Sequence, residues 1–303
     1  MYNYYLSILT KEGIPDFLNK YLKCSSLLRL KNIGYFCGMD YASKDIYDFG
    51  EYISRFDHSL DVALITYKYT ERKEATLAGL FHDVATPCFA HVIDYMNKDY
   101  ANQESTEEYT EKIIKSDKYL LECLKKDGID VEDIIDFKKY SIVDNERPKL
   151  CADRLDGVIL TGLFWTKNLD RKDINNIMRH TIILQNEDDE LELGFDNFIV
   201  AKKVMEVSDS INTICHSNED NYMMELLAKL TKYAIDKKYI SYEDLYVLDE
   251  DEIHKIFSKI DDPMFIDSYR VFKSVKIDEV PFQDMPYVKK RSLNILVNGK
   301  RIK

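Results

Sequence analysis

The chain reads as mainly α: a helical bundle with an inserted β-hairpin and a small C-terminal helical and β extension. Three observations predict this. Apolar residues recur at helical spacing from about residue 14 to residue 178, the pattern of helices that bury one face. Thr181-Ile182-Ile183-Leu184 and Glu190-Leu191-Glu192-Leu193 flank the acidic run Asn186-Glu187-Asp188-Asp189, which predicts a hairpin set between helices. Helical stripes return at residues 198–214 and 222–235. We therefore divide the chain into a helical core, 1–178, and a C-terminal helical region with β-hairpins, 179–303.

Within the core, Leu60, Ala63, Leu64 and Tyr67 share one helical face, so His58 stands near the start of a packed helix. A second apolar stretch, residues 75–81, runs into His82-Asp83, and Pro87 should stop that helix close to the dipeptide. Ser105-Thr106-Glu107-Glu108 has the form of a capping box. Asp153 lies inside the apolar run Leu150 to Leu160. Further on, residues 241–244 and 249–252 look like starts of short helices, and Asn298-Gly299 between alternating segments predicts a tight hairpin. Lys289-Lys290-Arg291 and Lys300-Arg301-Lys303 read as a solvated tail in preference to an allosteric nucleotide site.

The polar residues in these apolar helices carry the chemistry. His58, His82, Asp83 and Asp153 space two imidazoles and two carboxylates so that a helical bundle can converge them on one ion. Such a donor set suits Mn, Fe, Ni, Co or Zn, with Mg admissible alongside substrate, and a bound ion of this kind activates water near neutral pH. The bland alternative for Asp153 is a salt bridge from Arg147 or Arg154. Asp61 and Asp156 could orient a histidine or a substrate hydroxyl. His180, His216 and His254 lack convergent partners and read as structural.

Composition narrows the classes. A net charge of −12 and a pI near 5.1 argue against duplex nucleic acid as the main ligand, since phosphate contacts need clustered Lys and Arg. At 303 residues the chain can bury a large core. Its six cysteines show no paired spacing and read as reduced thiols. No stretch reaches the roughly 20 apolar residues of a membrane helix, and the N-terminus lacks a signal-peptide pattern, so the expectation is a cytoplasmic protein with no membrane partner. A homo-oligomer is allowed for.

These motifs resemble, in order, those of the HD-domain phosphohydrolases, and more closely the deoxynucleoside triphosphate triphosphohydrolase (dGTPase-like) branch. Leu30-Lys31-Asn32-Ile33-Gly34 is similar to that branch's I-K-Q-L-G, and Arg55-Phe56-Asp57-His58-Ser59-Leu60 to its R-F-E-H-S-L. Residues 82–91 resemble H-D-x-G-H-x-P-F-S-H, and Asp153-Arg154-Leu155-Asp156 resembles D-x-x-D. The resemblance implies His58, His82, Asp83 and Asp153 as metal ligands and Arg55 as the cation facing substrate phosphate. It further implies His91 and Asp94 as a general acid/base pair.

The substrate wall is expected at Asn32, Thr86, Gln103, Gly157 and Thr161, and departures from the branch fall at the last four. Thr86 and Gln103 stand where the branch has histidines. Gly157 replaces an aromatic residue and Thr161 an acid, both set against the sugar, which predicts a wider pocket and weak discrimination between ribose and deoxyribose. The implied function is metal-dependent phosphohydrolysis of nucleotides, dNTP or NTP, or of related small phosphoesters. The alternative is a catalytically weakened HD-domain nucleotide sensor or regulator.

Overall fold

The computed structural model describes residues 1–100, 109–284 and 288–302, so the capping box expected at 105–108 and Gln103 lie outside the described residues. Helices longer than one turn are α1 (Tyr2–Leu9), α2 (Arg55–Thr70), α3 (Lys73–Phe81), α4 (Val92–Asn97), α5 (Thr110–Ser116) and α6 (Lys118–Asp127). They continue as α7 (Ala152–Phe164), α8 (Arg171–His180), α9 (Phe198–Cys215), α10 (Asn218–Asp236), α11 (Glu250–Phe257) and α12 (Pro263–Ser274). The mainly α architecture with a small sheet is the one the sequence predicts.

Local chemistry sets many of these boundaries. Ser54 and Asp57 form a reciprocal capping box at the start of α2, which satisfies N–H groups that the first turn leaves without partners. Asp170 with Asp173, and Asp249 with Glu252, do the same for α8 and α11. Asp262 caps α12, and Pro263 occupies its first turn, where a missing N–H costs nothing. The helical reading of residues 14–54 needs correction. The chain there makes only one-turn helices, Leu18–Tyr21 and Ser25–Leu28, and the 3-10 turns Arg29–Asn32 and Met39–Tyr41. Left-handed backbone at Cys37 (φ 56°) and Gly38 (φ 75°) is incompatible with a continuous helix.

Helices α2 and α3 pack along each other, α7 packs on α2, and α9 packs on α7. Buried apolar side chains make one continuous cluster from Tyr5 to Val297. The first hairpin pairs β1 (Thr181–Gln185) with β2 (Leu191–Phe195) in antiparallel register, Ile183 opposite Leu193. Asn298 (φ 49°) and Gly299 (φ 78°) turn β3 (Leu296–Val297) into β4 (Lys300–Arg301), as the Asn-Gly signal requires. The two hairpins do not stay separate. Phe195 pairs in parallel with Val297, giving one sheet in the order β1-β2-β3-β4.

That junction is fastened by charge. Glu192 is fully buried, and Arg301 donates to both of its oxygens, at 3.1 and 2.9 Å. Arg301 also pairs with Glu187, so it is a clamp between hairpins, correcting its reading as solvated tail; Lys303 lies outside the described residues. Glu192 in turn accepts the backbone N–H of Leu150 at 3.1 Å, just ahead of α7.

A second buried acid joins distant backbones. Glu250 accepts N–H from Phe89 at 3.0 Å and from Gly34 at 3.1 Å. Burial raises its carboxyl to about 8 against the pull of those two groups. Folded Glu250 therefore keeps a proton that the unfolded chain has lost, and its contribution to stability falls as pH rises from about 4.5 to about 8. Between about pH 5 and about pH 8 the urea midpoint of the wild type should drop, and that of Glu250→Gln should drop less; equal drops would assign the slope to other groups. Arg301→Ala should cost on the order of 3 kcal/mol in the same assay by stranding Glu192, with Glu192→Gln restoring part of the loss in the double variant.

Candidate metal centre

His58 lies in the first turn of α2, His82 and Asp83 directly follow α3, and Asp153 lies in the first turn of α7. The bundle brings them together. One donor atom each from His58, His82 and Asp83 lies within 4.8 Å of the others. Asp153 Oδ1 stands 3.1 Å from His58 Nε2 and 3.7 Å from His82 Nε2. Asp153 makes these approaches while Arg154 is paired with Asp144 at 3.0 Å, so the alternative salt bridge from Arg154 is not formed.

Each imidazole is held from behind. His58 Nδ1 donates to Asp156 Oδ2 at 2.7 Å, and Asp156, fully buried, also accepts the Tyr5 hydroxyl at 2.7 Å. His82 Nδ1 donates to the Gly79 carbonyl at 2.7 Å. With Nδ1 protonated, each ring turns its Nε2 lone pair to the centre, the usual way a protein sets a histidine for ligation. His82 Nε2 is buried and has no hydrogen-bond partner among the described residues. An orphaned buried nitrogen facing carboxylates is costly unless a cation completes it. Asp61, the other expected orienting acid, does not reach a histidine and instead accepts from Tyr2 at 3.2 Å.

The electrostatics favour positive charge at the centre. Burial disfavours charged His58, yet hydrogen bonds to Asp153 and Asp156 raise it to about 10. Burial likewise opposes an ionised Asp83, but His82 and Arg55 hold it down to about 2. A proton or a divalent ion satisfies the same field. The donor set of nitrogen and carboxylate oxygen fits a transition metal, with His58, His82, Asp83 and Asp153 as the residues that would hold it.

A cavity of about 260 Å³ opens on this cluster. Arg55 lines it but is largely engaged, donating to Asp83 Oδ2 at 2.9 Å and to the Tyr35 carbonyl at 3.2 Å. His91 also lines it, with Nδ1 donating to buried Asp94 at 2.8 Å. The loop ahead of His91 holds Phe89 (φ 67°) and Ala90 (φ 44°) in left-handed backbone, a conformation kept only where surroundings enforce it. Glu250 supplies part of that enforcement through the Phe89 N–H.

The substrate-wall residues divide. Gly157 and Thr161 line the cavity. Asn32 and Thr86 do not: Asn32 donates to Asp249 at 3.0 Å on the outside, and Thr86 is fully buried with its carbonyl held by Arg29. Nor is the space at Gly157 open, because a Cβ there would come within 3.0 Å of the Tyr35 hydroxyl. Tyr35 thus takes up room that the sequence reading assigned to the pocket. That reading placed Arg147 only as a salt-bridge candidate, missed Trp165 and Asp220, and took Lys289 and Arg291 for tail; all line the cavity. Only Arg147 carried a signal, a cation just upstream of a ligand candidate. His180, His216 and His254 lie off the cavity, on Asp196, the Asn212 carbonyl and Tyr269 respectively.

Residues 55–158, which start at Arg55 and include the four ligand candidates and His91, match the HD domain family, supporting the wider HD superfamily. The chain is 26% identical over 251 residues to the uncharacterized protein YdhJ of Bacillus subtilis, covering 82% of this chain and 73% of that protein. It is 25% identical over 104 residues to the metal-dependent phosphohydrolase cns2 of Cordyceps militaris, covering 34% of this chain and 30% of that protein. Among the described residues no helix is long and apolar enough to cross a membrane.

Elemental analysis of the purified protein should find about one equivalent of a transition metal per chain. Asp83→Ala and His82→Ala should lose it, while His91→Ala should keep it. Asp156→Asn should weaken metal affinity by roughly 10- to 100-fold, the usual cost of losing the group that orients a ligand. Absence of metal from wild-type protein refilled with Mn, Fe, Ni, Co or Zn would end the metal assignment.

Proposed function

We propose that this chain is a metal-dependent phosphohydrolase that acts on nucleotides or related small phosphoesters. The observation that carries the reading is His82 Nε2, buried and without a hydrogen-bond partner among the described residues, beside His58, Asp83 and Asp153. An ion held by these four residues would supply Lewis-acid activation of water and of a phosphoryl oxygen. The printed description of the Cordyceps relative and the HD match support the same chemistry.

The chain's own residues then divide the remaining work. Asp156 and the Gly79 carbonyl keep the two imidazoles oriented. Arg55 steadies Asp83 through its 2.9 Å hydrogen bond and adds positive potential where phosphate charge gathers. His91 carries a proton at Nε2 to the leaving oxygen, and Asp94 fixes the ring by accepting Nδ1–H. Burial lowers the His91 pKa in spite of Asp94, so the resting ring is neutral with its lone pair on Nε2; a phosphate dianion beside it raises its proton affinity, and Nε2 takes from solvent the proton it then delivers. Aromatic residues on the wall, Tyr35, Phe36, Tyr95, Phe137 and Trp165, offer flat apolar surface to a nucleobase.

Affinity with the dGTPase-like branch rests on the ordered motifs of the sequence, and the departure at Thr161, which lines the cavity, supports a relaxed sugar preference. A panel of nucleoside mono-, di- and triphosphates with Mn or Mg should show turnover, with less than about a hundredfold preference in kcat/KM between dGTP and GTP. His91→Ala should lose roughly a hundredfold or more in kcat with metal retained. Metal-replete protein that hydrolyses no member of the panel would overturn the hydrolase reading in favour of a nucleotide sensor.

A further inference from the structure

Among the described residues four aspartates line the cavity beside the candidate metal centre. Asp83 and Asp153 belong to the ligand set, and Asp144 is paired with Arg154 at 3.0 Å. Asp220 is different. It stands in the first turn of α10, where the Ser217 hydroxyl accepts its backbone N–H at 3.1 Å, and α10 supplies no ligand candidate. The residue is only 7% exposed. Its Oδ1 accepts the hydroxyl of buried Tyr47 at 2.8 Å, and the carboxylate makes no other hydrogen bond and no ion pair among the described residues. Oδ2 is not sealed inside the protein, so a group in the cavity can reach it.

A tyrosine hydroxyl alone would be served as well by an asparagine, which has no charge to desolvate. Burial pushes the Asp220 carboxyl up to about 6, although Tyr47, Arg291 and His216 pull it down. At neutral pH the group is therefore ionised and can only accept. A nearly buried anion with one oxygen unused is costly until a donor meets it. Two other polar side chains on the wall are already committed, the Tyr95 hydroxyl donating to Asn221 at 2.7 Å and the Ser208 hydroxyl to the Arg291 carbonyl at 2.7 Å. Tyr47 packs its ring 5.9 Å from that of Trp165, itself a wall residue, so the acceptor is anchored to the aromatic part of the wall.

We propose that Asp220 is a specificity-determining residue whose free carboxylate oxygen receives a neutral O–H or N–H donor on the part of the substrate away from its phosphate. Like charge repels a phosphate or carboxylate from that oxygen, and the arginines lining the same cavity disfavour an ammonium. The substrate class is thus an organic phosphate with a hydroxyl or amino group at its far end. This rests on the phosphohydrolase reading for which end faces the metal centre, but not for its binding test.

The test is calorimetric binding to Mn-loaded full-length protein of the non-hydrolysable phosphonate analogue of AMP, and of versions lacking the 6-amino group, the 2′-hydroxyl or the 3′-hydroxyl. Wild type should lose about tenfold or more in affinity when one of these donors is removed, the worth of a hydrogen bond to a charged group. The deletion that shows the loss distinguishes a base amine from a sugar hydroxyl. In Asp220→Asn, which keeps an acceptor for Tyr47, the same removal should cost less than about twofold with metal content unchanged. Should Asp220→Asn melt early, Tyr47→Phe, which unfastens the carboxylate, should reduce the loss partway. A purely structural Asp220 would weaken all four analogues alike; that result, or no donor-dependent loss in wild type, overturns the contact. Coupling to Asp220 without hydrolysis of any nucleotide would keep the contact and overturn the hydrolase reading, and hydrolysis without coupling would do the reverse.

Discussion

Ionisable groups buried at the heart of a helical bundle are tolerated only when each is paired, and this constraint organises the molecule. Asp156 is fully buried and would be prohibitive alone. Its oxygens are taken by His58 and by Tyr5. The pair therefore ties α1 and α7 to α2 and, in the same contacts, presents His58 Nε2 to Asp153. The packing requirement and the functional geometry are met by one set of hydrogen bonds.

The same economy extends outward. Asp153 sits in the first turn of α7, and its N–H and that of Ala152 are held by the carbonyls of Val143 and Ile142. The Leu150 N–H is fixed by Glu192, which is neutralised by Arg301 near the end of the chain. A line of buried polar contacts thus runs from the C-terminal hairpin to a candidate ligand. Glu250 plays the comparable part on the other side, joining Gly34 to the loop that precedes His91. The C-terminal region is consequently a support for the site as well as a source of its cavity wall, through Arg291 and, on α9, Ser208 and Ile211.

Much of this was legible in the sequence, for physical reasons. Helical periodicity, caps and the Asn-Gly turn are local signals, so helices such as Arg55–Thr70 and Phe198–Cys215 and both hairpins could be placed from residues alone. Two histidines and two carboxylates inside apolar helices are conspicuous because burying them demands a partner. Their spacing marked a cluster that could hold a metal ahead of any view of the folded chain.

What the sequence could not supply is contact between segments far apart in the chain. Nothing local says that Tyr35 fills the space beside Gly157, that Thr86 turns away from the cavity, or that Arg301 clamps Glu187 and Glu192. The basic residues at 289–291 look like any solvated tail until packing of that segment on α9 carries Arg291 to the cavity. Residue type and spacing determined the donor atoms at the centre, because the set of nitrogens and carboxylate oxygens is given by which residues are present. Tertiary structure decided which side chains surround it, because a cavity wall is assembled by long-range packing that no local pattern encodes.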